Sequence, residues 1–170
     1  MKLNNFLFFF FLLSRLVFAL EIESNSFRHN EFIPQRFTCE GENVSPHLSW
    51  RDIPEGTESF AIICDDPDAP MGTWVHWVIY DIPKEVKEFK EGTPPQGELP
   101  LGAKQGVNDF GKLGYGGPCP PPGKPHHYFF KIFALKRKLN LPPGLTKQKL
   151  LEAMEGYIIE KTELVGRYKR

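Results

Sequence analysis

Acidic and histidine side chains in two short stretches are the part of this sequence most able to do chemistry. The first stretch is DDPDAP at residues 65–70, and His76 follows it within TWVHWVIYD. Each residue before a proline, here Asp66 and Ala69, is pushed towards an extended backbone, and each proline fixes its own φ. The turn should therefore hold the carboxylates of Asp66 and Asp68 with little freedom, and one of its X-Pro bonds is a candidate for the cis form.

A glycine- and proline-rich segment supplies the second stretch. GYGGPCPPPGKPHHY covers residues 114–128 and runs directly into an apolar strand. Side chains alternate between the two faces of a strand, so His126 and Tyr128 share one face and His127 lies on the other. The same alternation places Trp74 and His76 together on the strand after the acidic turn. Because both strands begin beside a proline-rich loop, we expect His76, His126 and Tyr128 to converge.

Each of these groups also has a simpler interpretation. Aspartates in turns usually hydrogen-bond their own loop and face water. His76 lies between two tryptophans in WVHW, where a core histidine satisfied by a neighbouring carboxylate would also fit. His29 and His47 lie in polar loop contexts and are interpreted as surface groups.

Three kinds of chemistry could use one acid, two histidines and a tyrosine. Asp66 with His76 and His126 could bind a metal ion, but the chain lacks the spaced histidine pair of a strand or helix metal motif. Cys119 could be a thiol nucleophile, although a disulfide better explains a cysteine flanked by prolines in an exported protein. An anion pocket is the third option, and it would use the imidazoles, the phenol and the backbone N–H groups of the glycine-rich loop.

Short β-type runs between turn signals would form the framework that positions these stretches. The predicted strands cover residues 20–27, 48–50, 59–65, 74–81, 128–135 and 164–168. Strict alternation along residues 74–81 groups His76 with Val78 and Tyr80 and places Trp77 on the opposite face. Residues 90–125 lack apolar periodicity, which is typical of a functional connection that could form a pocket wall.

Composition and one helical pattern set the fold class. The chain has 170 residues and is 41% hydrophobic, which is enough for one domain with a core. Its 16 prolines and 15 glycines indicate many turns between short strands. The helical pattern covers residues 146–157, with Thr146 as its N-cap and Gly156 near its end. We therefore predict a mainly β fold with a helical element near the C-terminus.

Residues 1–19 have the pattern of a secretory signal peptide. A basic start precedes an apolar run at residues 6–13 and the small residue Ala19. We expect cleavage there and export to the periplasm or the exterior, with residues 20–170 as a single domain. Arg15 interrupts the apolar stretch, so retention as an anchor is the alternative. Cleavage would remove Lys2 and Arg15 from the 21 basic residues, leaving 19 against 21 acidic ones. Because the basic residues are dispersed, no nucleic-acid partner is predicted.

Three cysteines would remain after cleavage. In an oxidising compartment, one disulfide and one free thiol is the simplest arrangement. Cys64 lies in the apolar run FAIIC and is interpreted as a buried thiol. Cys39 with Cys119 is therefore the preferred pair, although sequence spacing does not show the geometry that a disulfide requires.

Four motifs, taken in order, resemble one known family. RFTCEGENVSPHLSW, DDPDAP, VHW and GYGGPCPPPGKPHHY are similar to the phosphatidylethanolamine-binding protein family, also called the Raf kinase inhibitor protein family, and to its bacterial and archaeal branch in particular. The resemblance covers residues 22–168 and implies a Greek-key antiparallel β-sandwich with a small anion pocket at one end. The ligand-binding residues that it implies are Asp66, Ala69, His76, Pro118, His126 and Tyr128, with Asp68, Trp74 and His127 behind them.

The resemblance implies a binding function rather than a reaction. Its ligands are phosphate, acetate-like anions and phosphoethanolamine head groups, and it implies no cofactor. We expect an exported binding protein that also acts as an inhibitor of an enzyme such as a protease or kinase, although export would separate it from cytoplasmic kinases. The alternatives are a metal-assisted hydrolase that uses the same acid and histidines and a protein-binding scaffold without a ligand. The oligomeric state stays open, and a homodimer is among the options.

One position departs from the family pattern. The family usually has HRY where this chain has HHY, so His127 takes the place of an arginine. An arginine that pairs with an acid of the DDPDAP turn stays charged at every relevant pH, whereas a histidine does not. We therefore predict that His127→Arg stabilises the protein above neutral pH.

Overall fold

The computed structural model describes residues 19–170, so the predicted signal peptide lies outside the described residues except for Ala19. This part of the chain forms two antiparallel sheets, one α-helix and two short 3-10 helices, Gln35–Phe37 and Pro100–Gly102, which confirms the mainly β prediction. None of its helices is long and apolar enough to cross a membrane. The strands are β1 Glu21–Glu23, β2 Leu48–Arg51, β3 Ser59–Asp66, β4 Trp74–Pro83, β5 Glu88–Phe89, β6 Lys104–Gln105, β7 His126–Leu135 and β8 Ile158–Tyr168, and the helix is α1 Lys147–Met154.

The larger sheet has the connectivity of a Greek key. Its strand order is β6-β4-β3-β7-β8, and the smaller sheet has the order β1-β2-β5. Strands β3, β4 and β6 follow one another in the larger sheet, and β7 then returns to pair with β3 on its other side. This return of a fourth strand beside the first defines the Greek key. The long connection that it requires contains residues 106–125, and these border the site.

The main core lies between the two sheets. The smaller sheet contributes Leu48 and Trp50, and the larger sheet contributes Ile62, Trp77 and Phe130, all of them buried. A second apolar cluster lies on the other face of the larger sheet, where helix α1 covers it. Strands β3 and β4 are therefore buried on both faces, which explains why their sequences are nearly continuous apolar runs.

Helix α1 begins as predicted and ends earlier. The Thr146 hydroxyl accepts a hydrogen bond from the backbone N–H of Lys149 at 3.4 Å and caps the helix. The predicted helix extended to residue 157, but the helix ends at Met154. Gly156 has φ +78°, a left-handed conformation that glycine adopts without strain, and the chain turns there into β8.

Strand β8 is longer than predicted because pairing, and not apolar alternation, determines its length. It runs for 11 residues and pairs with β7 along nearly its whole length. Residues 160–163 are polar and at least partly exposed, so the sequence showed a strand only over residues 164–168. Strand β1 is shorter than predicted and covers three residues.

A β-bulge in β4 makes the predicted grouping of His76 wrong. Trp77 pairs with Cys64 and Val75 pairs with Asp65, so His76 between them is an additional residue in the ladder. An inserted residue shifts the alternation by one, so two residues that would share a face without it lie on opposite faces. Val78 consequently packs in the cluster beneath helix α1, whereas the ring of His76 contacts Tyr128. The proposed cis X-Pro bond is also wrong, since the peptide bonds of the described chain are trans.

Candidate functional site

A cavity of about 210 Å³ lies at the edge of the larger sheet where β3 ends and β4 and β7 begin. The acidic turn, the start of β4, the start of β7 and the glycine- and proline-rich loop all reach it. These elements adjoin because β4 and β7 both run antiparallel to β3, so their first residues meet its last ones. The lining residues are Asp66, Ala69, Pro70, Met71, Trp74, His76, Phe110, Cys119, Pro120, Pro121, His126 and Tyr128.

Asp66 joins the acidic turn to β7. Its side chain is only 4% exposed. One carboxylate oxygen, Oδ2, accepts a hydrogen bond from Nδ1 of His126 at 2.7 Å. The other, Oδ1, accepts one from the backbone N–H of Asp68 at 2.8 Å. Both oxygens are therefore engaged, and the carboxylate fixes the orientation of the His126 ring.

His76 is oriented by the glycine-rich loop. Its Nδ1 lies 2.5 Å from the carbonyl oxygen of Gly116. Burial lowers the pKa of His76, and it outweighs the hydrogen bond to Gly116 and the nearby carboxylates, which act to raise it. The ring packs edge-on against Tyr128 and Phe110, with centroid distances of 5.1 and 5.4 Å. His76 is thus a neutral, immobilised ring near neutral pH.

The glycine-rich loop is held in place by contacts that need small residues. The N–H of Gly116 donates to the carbonyl of His76 at 2.9 Å, so the two residues are joined by two hydrogen bonds. The N–H of Gly117 donates to Oδ1 of Asn43 at 2.8 Å. A Cβ atom at Gly117 would lie 2.3 Å from the carbonyl oxygen of Phe37, so only glycine fits there.

Two buried donors that belong to lining side chains have no hydrogen-bond partner. The hydroxyl of Tyr128 and the indole N–H of Trp74 are both buried, and neither makes a hydrogen bond of normal geometry in the described range 19–170, although the hydroxyl lies near the Asp66 carboxylate. Burial raises the pKa of Tyr128 well above its usual value, and the neighbouring charge of Asp66 adds to this. The phenol is therefore a protonated donor. Unpaired buried donors are costly, which is a reason to look for a bound group.

Cys39 and Cys119, the pair preferred from the sequence, form a disulfide with a Cα–Cα distance of 5.4 Å. The backbone N–H of Cys39 also donates to the carbonyl of Pro118 at 3.1 Å. Cys119 lines the cavity together with the two prolines that follow it, whereas Pro118 does not. Cys64 is a buried free thiol, and burial raises its pKa.

His127 lies outside the cavity and contacts the acidic turn. Its Nδ1 and its backbone N–H both lie within hydrogen-bonding distance of Oδ2 of Asp68, at 2.7 and 2.8 Å. Partial burial acts to raise the pKa of Asp68, but the hydrogen bonds from His127 hold it below its usual value. His127, where the sequence departs from the HRY pattern, thus contacts an acid of the turn.

The sequence reasoning missed several residues that shape the site. Phe110 closes one side of the cavity against Trp74 and His76, and it comes from the long connection that showed no periodicity. The carboxylate of Asp109 accepts a hydrogen bond from the backbone N–H of Val75 at 2.7 Å. Met71 lines the mouth and is 93% exposed. No local pattern distinguishes Asp109 and Phe110, because only the fold brings them to β4, whereas Met71 directly follows the acidic turn in the sequence.

The groups that line the cavity are of types that bind small polar ligands. Of the cysteines in the described chain, one pair is oxidised and Cys64 is buried in the core, so neither arrangement presents a thiolate at the cavity. No group of three or more His, Cys, Asp or Glu side chains within residues 19–170 is arranged to hold a metal ion. The cavity instead combines the Asp66–His126 pair, a neutral imidazole and buried N–H and O–H donors.

The sequence is similar to a family model and to curated proteins over most of its length. The model described as "Phosphatidylethanolamine-binding protein" matches residues 23–169. A "UPF0098 protein" of Aquifex aeolicus is 51% identical over 153 residues, which cover 89% of each chain. A "UPF0098 protein" of Methanothermobacter thermautotrophicus is 48% identical over 151 residues, which cover 89% of this chain and 99% of the relative.

Solved structures show the same architecture. A putative phosphatidylethanolamine-binding protein homologue from Chlamydia trachomatis superposes with a TM-score of 0.81 at 38% identity, covering 89% of this chain and 98% of the other. An E. coli protein described as a new member of the mammalian family of this name gives a TM-score of 0.83 at 37% identity, covering 89% and 99%. The match of the family model over nearly all of the described chain, together with this shared fold, shows that the chain belongs to the phosphatidylethanolamine-binding protein family.

Proposed function

We propose that this protein is an exported binding protein that holds a small anion, of the phosphate or phosphoethanolamine type, in the cavity between β3, β4 and β7. The observation that carries the proposal is the convergence of the Asp66–His126 pair, His76 and two unpartnered donors on one cavity. The cavity volume of about 210 Å³ lies below the range of about 300–1,000 Å³ that drug-sized ligands occupy. A head group is therefore a better match than a whole lipid.

The hydrogen bonds of Asp66 reduce its repulsion of an anion. A bare carboxylate would repel an anion, but both oxygens of Asp66 already accept hydrogen bonds, one of them from Nδ1 of His126 at 2.7 Å. The Tyr128 hydroxyl and the Trp74 indole N–H are donors without an acceptor, and an anionic oxygen would supply one. These groups come from a strand end and two strand starts, so the fold holds them in place before a ligand arrives.

NMR titration tests the binding proposal. Phosphate and phosphoethanolamine are each added to labelled protein, and we expect saturable shifts of the Trp74 indole N–H and of the His76, His126 and Tyr128 signals. His126→Gln should weaken binding strongly. His47→Gln is the matched control, because His47 also pairs with a carboxylate, Glu88 at 3.3 Å, but lies outside the cavity. Absence of any saturable shift with both ligands would refute the proposal.

Export is part of the same proposal. The apolar run at residues 6–13 and the small residue Ala19 match a signal peptide, and the Cys39–Cys119 disulfide is typical of an oxidising compartment. Expression in the native cell, followed by fractionation and N-terminal sequencing, tests it. A mature protein beginning at Leu20 outside the cytoplasm is expected, and a full-length protein that stays in the cytoplasm would refute it.

Inhibition of a secreted enzyme is a second role that the rim of the cavity supports. Met71 is 93% exposed and Phe110 is 41% exposed, and both lie at the mouth. Exposed apolar side chains beside a polar pocket are a common feature of contact sites for other proteins. If a target enzyme is found, Met71→Ser should weaken inhibition and leave phosphate binding unchanged; equal inhibition by both proteins would exclude this rim as the contact.

A further inference from the structure

The hydrogen bond to Gly116 determines which nitrogen of His76 carries the proton. A carbonyl oxygen only accepts hydrogen bonds, so Nδ1 of His76, 2.5 Å away, must be the donor. In a neutral imidazole with its proton on Nδ1, the other nitrogen, Nε2, is an acceptor. Nε2 makes no hydrogen bond to the residues between 19 and 170, and the ring lines the cavity.

The surroundings of His76 disfavour protonation of Nε2, so this atom stays an acceptor. Three carboxylates act on the ring through their charge, those of Asp66, Asp109 and Asp65, and each of them favours a protonated ring. Burial of the ring, which is only 3% exposed, opposes them and dominates. A ligand therefore meets a lone pair on Nε2, while the Tyr128 hydroxyl and the Trp74 indole offer hydrogens.

A lone pair in the wall of an anion site discriminates between kinds of phosphate. A phosphodiester anion has only acceptor oxygens, so an oxygen placed against Nε2 would set one lone pair against another. A phosphomonoester that carries one proton has a P–OH group, which can donate to Nε2 while its other oxygens accept from the remaining groups. The diester can be accommodated only if His76 takes up a proton from solvent, and burial makes that costly.

We propose that the cavity selects phosphate groups that carry an O–H, as inorganic phosphate and the monoanions of phosphomonoesters do, over phosphodiesters such as the head group of an intact lipid, and that His76 makes this distinction. The inference rests on the proposed anion-binding function and adds the chemical class of its ligand. His76 is then a specificity-determining residue. The Tyr128 hydroxyl and the Trp74 indole N–H are donors that the oxygens of both classes of phosphate can use.

Methyl phosphate and dimethyl phosphate are the probes that test this selection. At a pH between about 5 and 6, methyl phosphate is largely a monoanion, because the second ionisation of a phosphate monoester lies near pH 6. The two probes then have the same charge and differ by one O–H against one O–CH3. We expect dimethyl phosphate to bind more weakly by about five- to a hundredfold, the range for leaving a buried polar group unsatisfied.

A variant separates hydrogen bonding from the size of the added methyl group. Glutamine presents both a donor and an acceptor, so His76→Gln should bring the two affinities close together. His47→Gln, outside the cavity, should retain the difference. In the unchanged protein, ¹⁵N NMR of the His76 ring at pH 7 should show a protonated Nδ1 and an unprotonated Nε2, and this measurement does not depend on whether the variant folds.

The possible outcomes separate a failure of the selection between phosphates from a failure of anion binding itself. Equal, saturable binding of both probes would overturn the selection and leave anion binding intact. A difference that persists in His76→Gln would assign the selection to size and overturn the role of His76, as would a ring protonated on Nε2 in the free protein. No binding of either probe would overturn both the selection and the proposed function.

Discussion

Asp81 offers the clearest quantitative test of how this fold is held together. The residue lies in β4, is fully buried and has φ +51°, a conformation that few residues other than glycine, asparagine and aspartate adopt readily. Its carboxylate accepts hydrogen bonds from three backbone N–H groups: Oδ1 from Leu139 at 2.7 Å and Asn140 at 3.0 Å, and Oδ2 from Leu141 at 2.8 Å. It therefore ties the chain after β7 to β4.

Asp81→Asn keeps the shape of the side chain and replaces one carboxylate oxygen by an NH₂ group, which cannot accept a hydrogen bond. The amide oxygen can still accept from two N–H groups, but the NH₂ group would face the N–H of Leu141. Loss of one hydrogen bond to a charged group, with a donor left unpaired, should lower the free energy of unfolding by about 1.5–3 kcal/mol. For a domain of this size that corresponds to a melting temperature lower by about 3–12 °C.

Urea unfolding followed by circular dichroism measures this change, and Asp52→Asn is the matched control. Asp52 has φ +54°, close to that of Asp81, but its side chain makes no hydrogen bond within the described chain. Asparagine tolerates this backbone conformation well, so the control should change the free energy of unfolding by less than about 0.5 kcal/mol. If the two variants lose the same stability, the carboxylate bonds are not what holds this part of the fold, and the reasoning is refuted.

Three further predictions concern the site. Burial puts the pKa of His76 below the ordinary histidine value of about 6.5, so the unfolded chain takes up this proton first as the pH falls. Stability should therefore decrease from about pH 7 to pH 5, and His76→Gln should flatten that slope in urea unfolding. Identical slopes would contradict this. His127→Arg should raise the melting temperature above about pH 7 by only about 1–3 °C, since its partner Asp68 is 43% exposed; an unchanged or lower value would count against the pairing. Serine at both Cys39 and Cys119 opens a crosslink that spans 80 residues and should lower the free energy of unfolding by about 2–5 kcal/mol, whereas a loss below about 1 kcal/mol would show that the loop contacts suffice.

Local patterns predicted most of the elements because buried strands and helix faces need apolar residues at regular positions in the sequence. Strands β3 and β7 are apolar runs with turn residues on both sides, and the helix N-cap is a threonine before a helical pattern. Residues 160–163 of β8 show no such pattern, because their polar side chains are at least partly exposed and only their pairing with β7 makes them part of a strand. The end of α1 was also misjudged, because Gly156 turns the chain where the apolar pattern continues.

The site shows the same division. Proline stiffening indicated that the Asp66 carboxylate would be held, and alternation on β7 correctly placed His126 with Tyr128. Alternation on β4 failed at His76, because a bulge is a property of the pairing with β3 and has no signature in TWVHWVIYD. Without that bulge, His76 would lie with Val78 on the helix-covered face.

The sequence by itself determined the fold class, the family and the residue types that could bind an anion, because short-range periodicity, turn chemistry and ordered motifs are all written along the chain. Only the tertiary structure decided that these side chains share one cavity, that Phe110 closes it and that Gly116 selects the tautomer of His76. These features depend on contacts between residues 30 to 60 positions apart, as in the 60-residue separation of Asp66 and His126. Contacts of that range follow from strand register and loop packing, which no local pattern encodes.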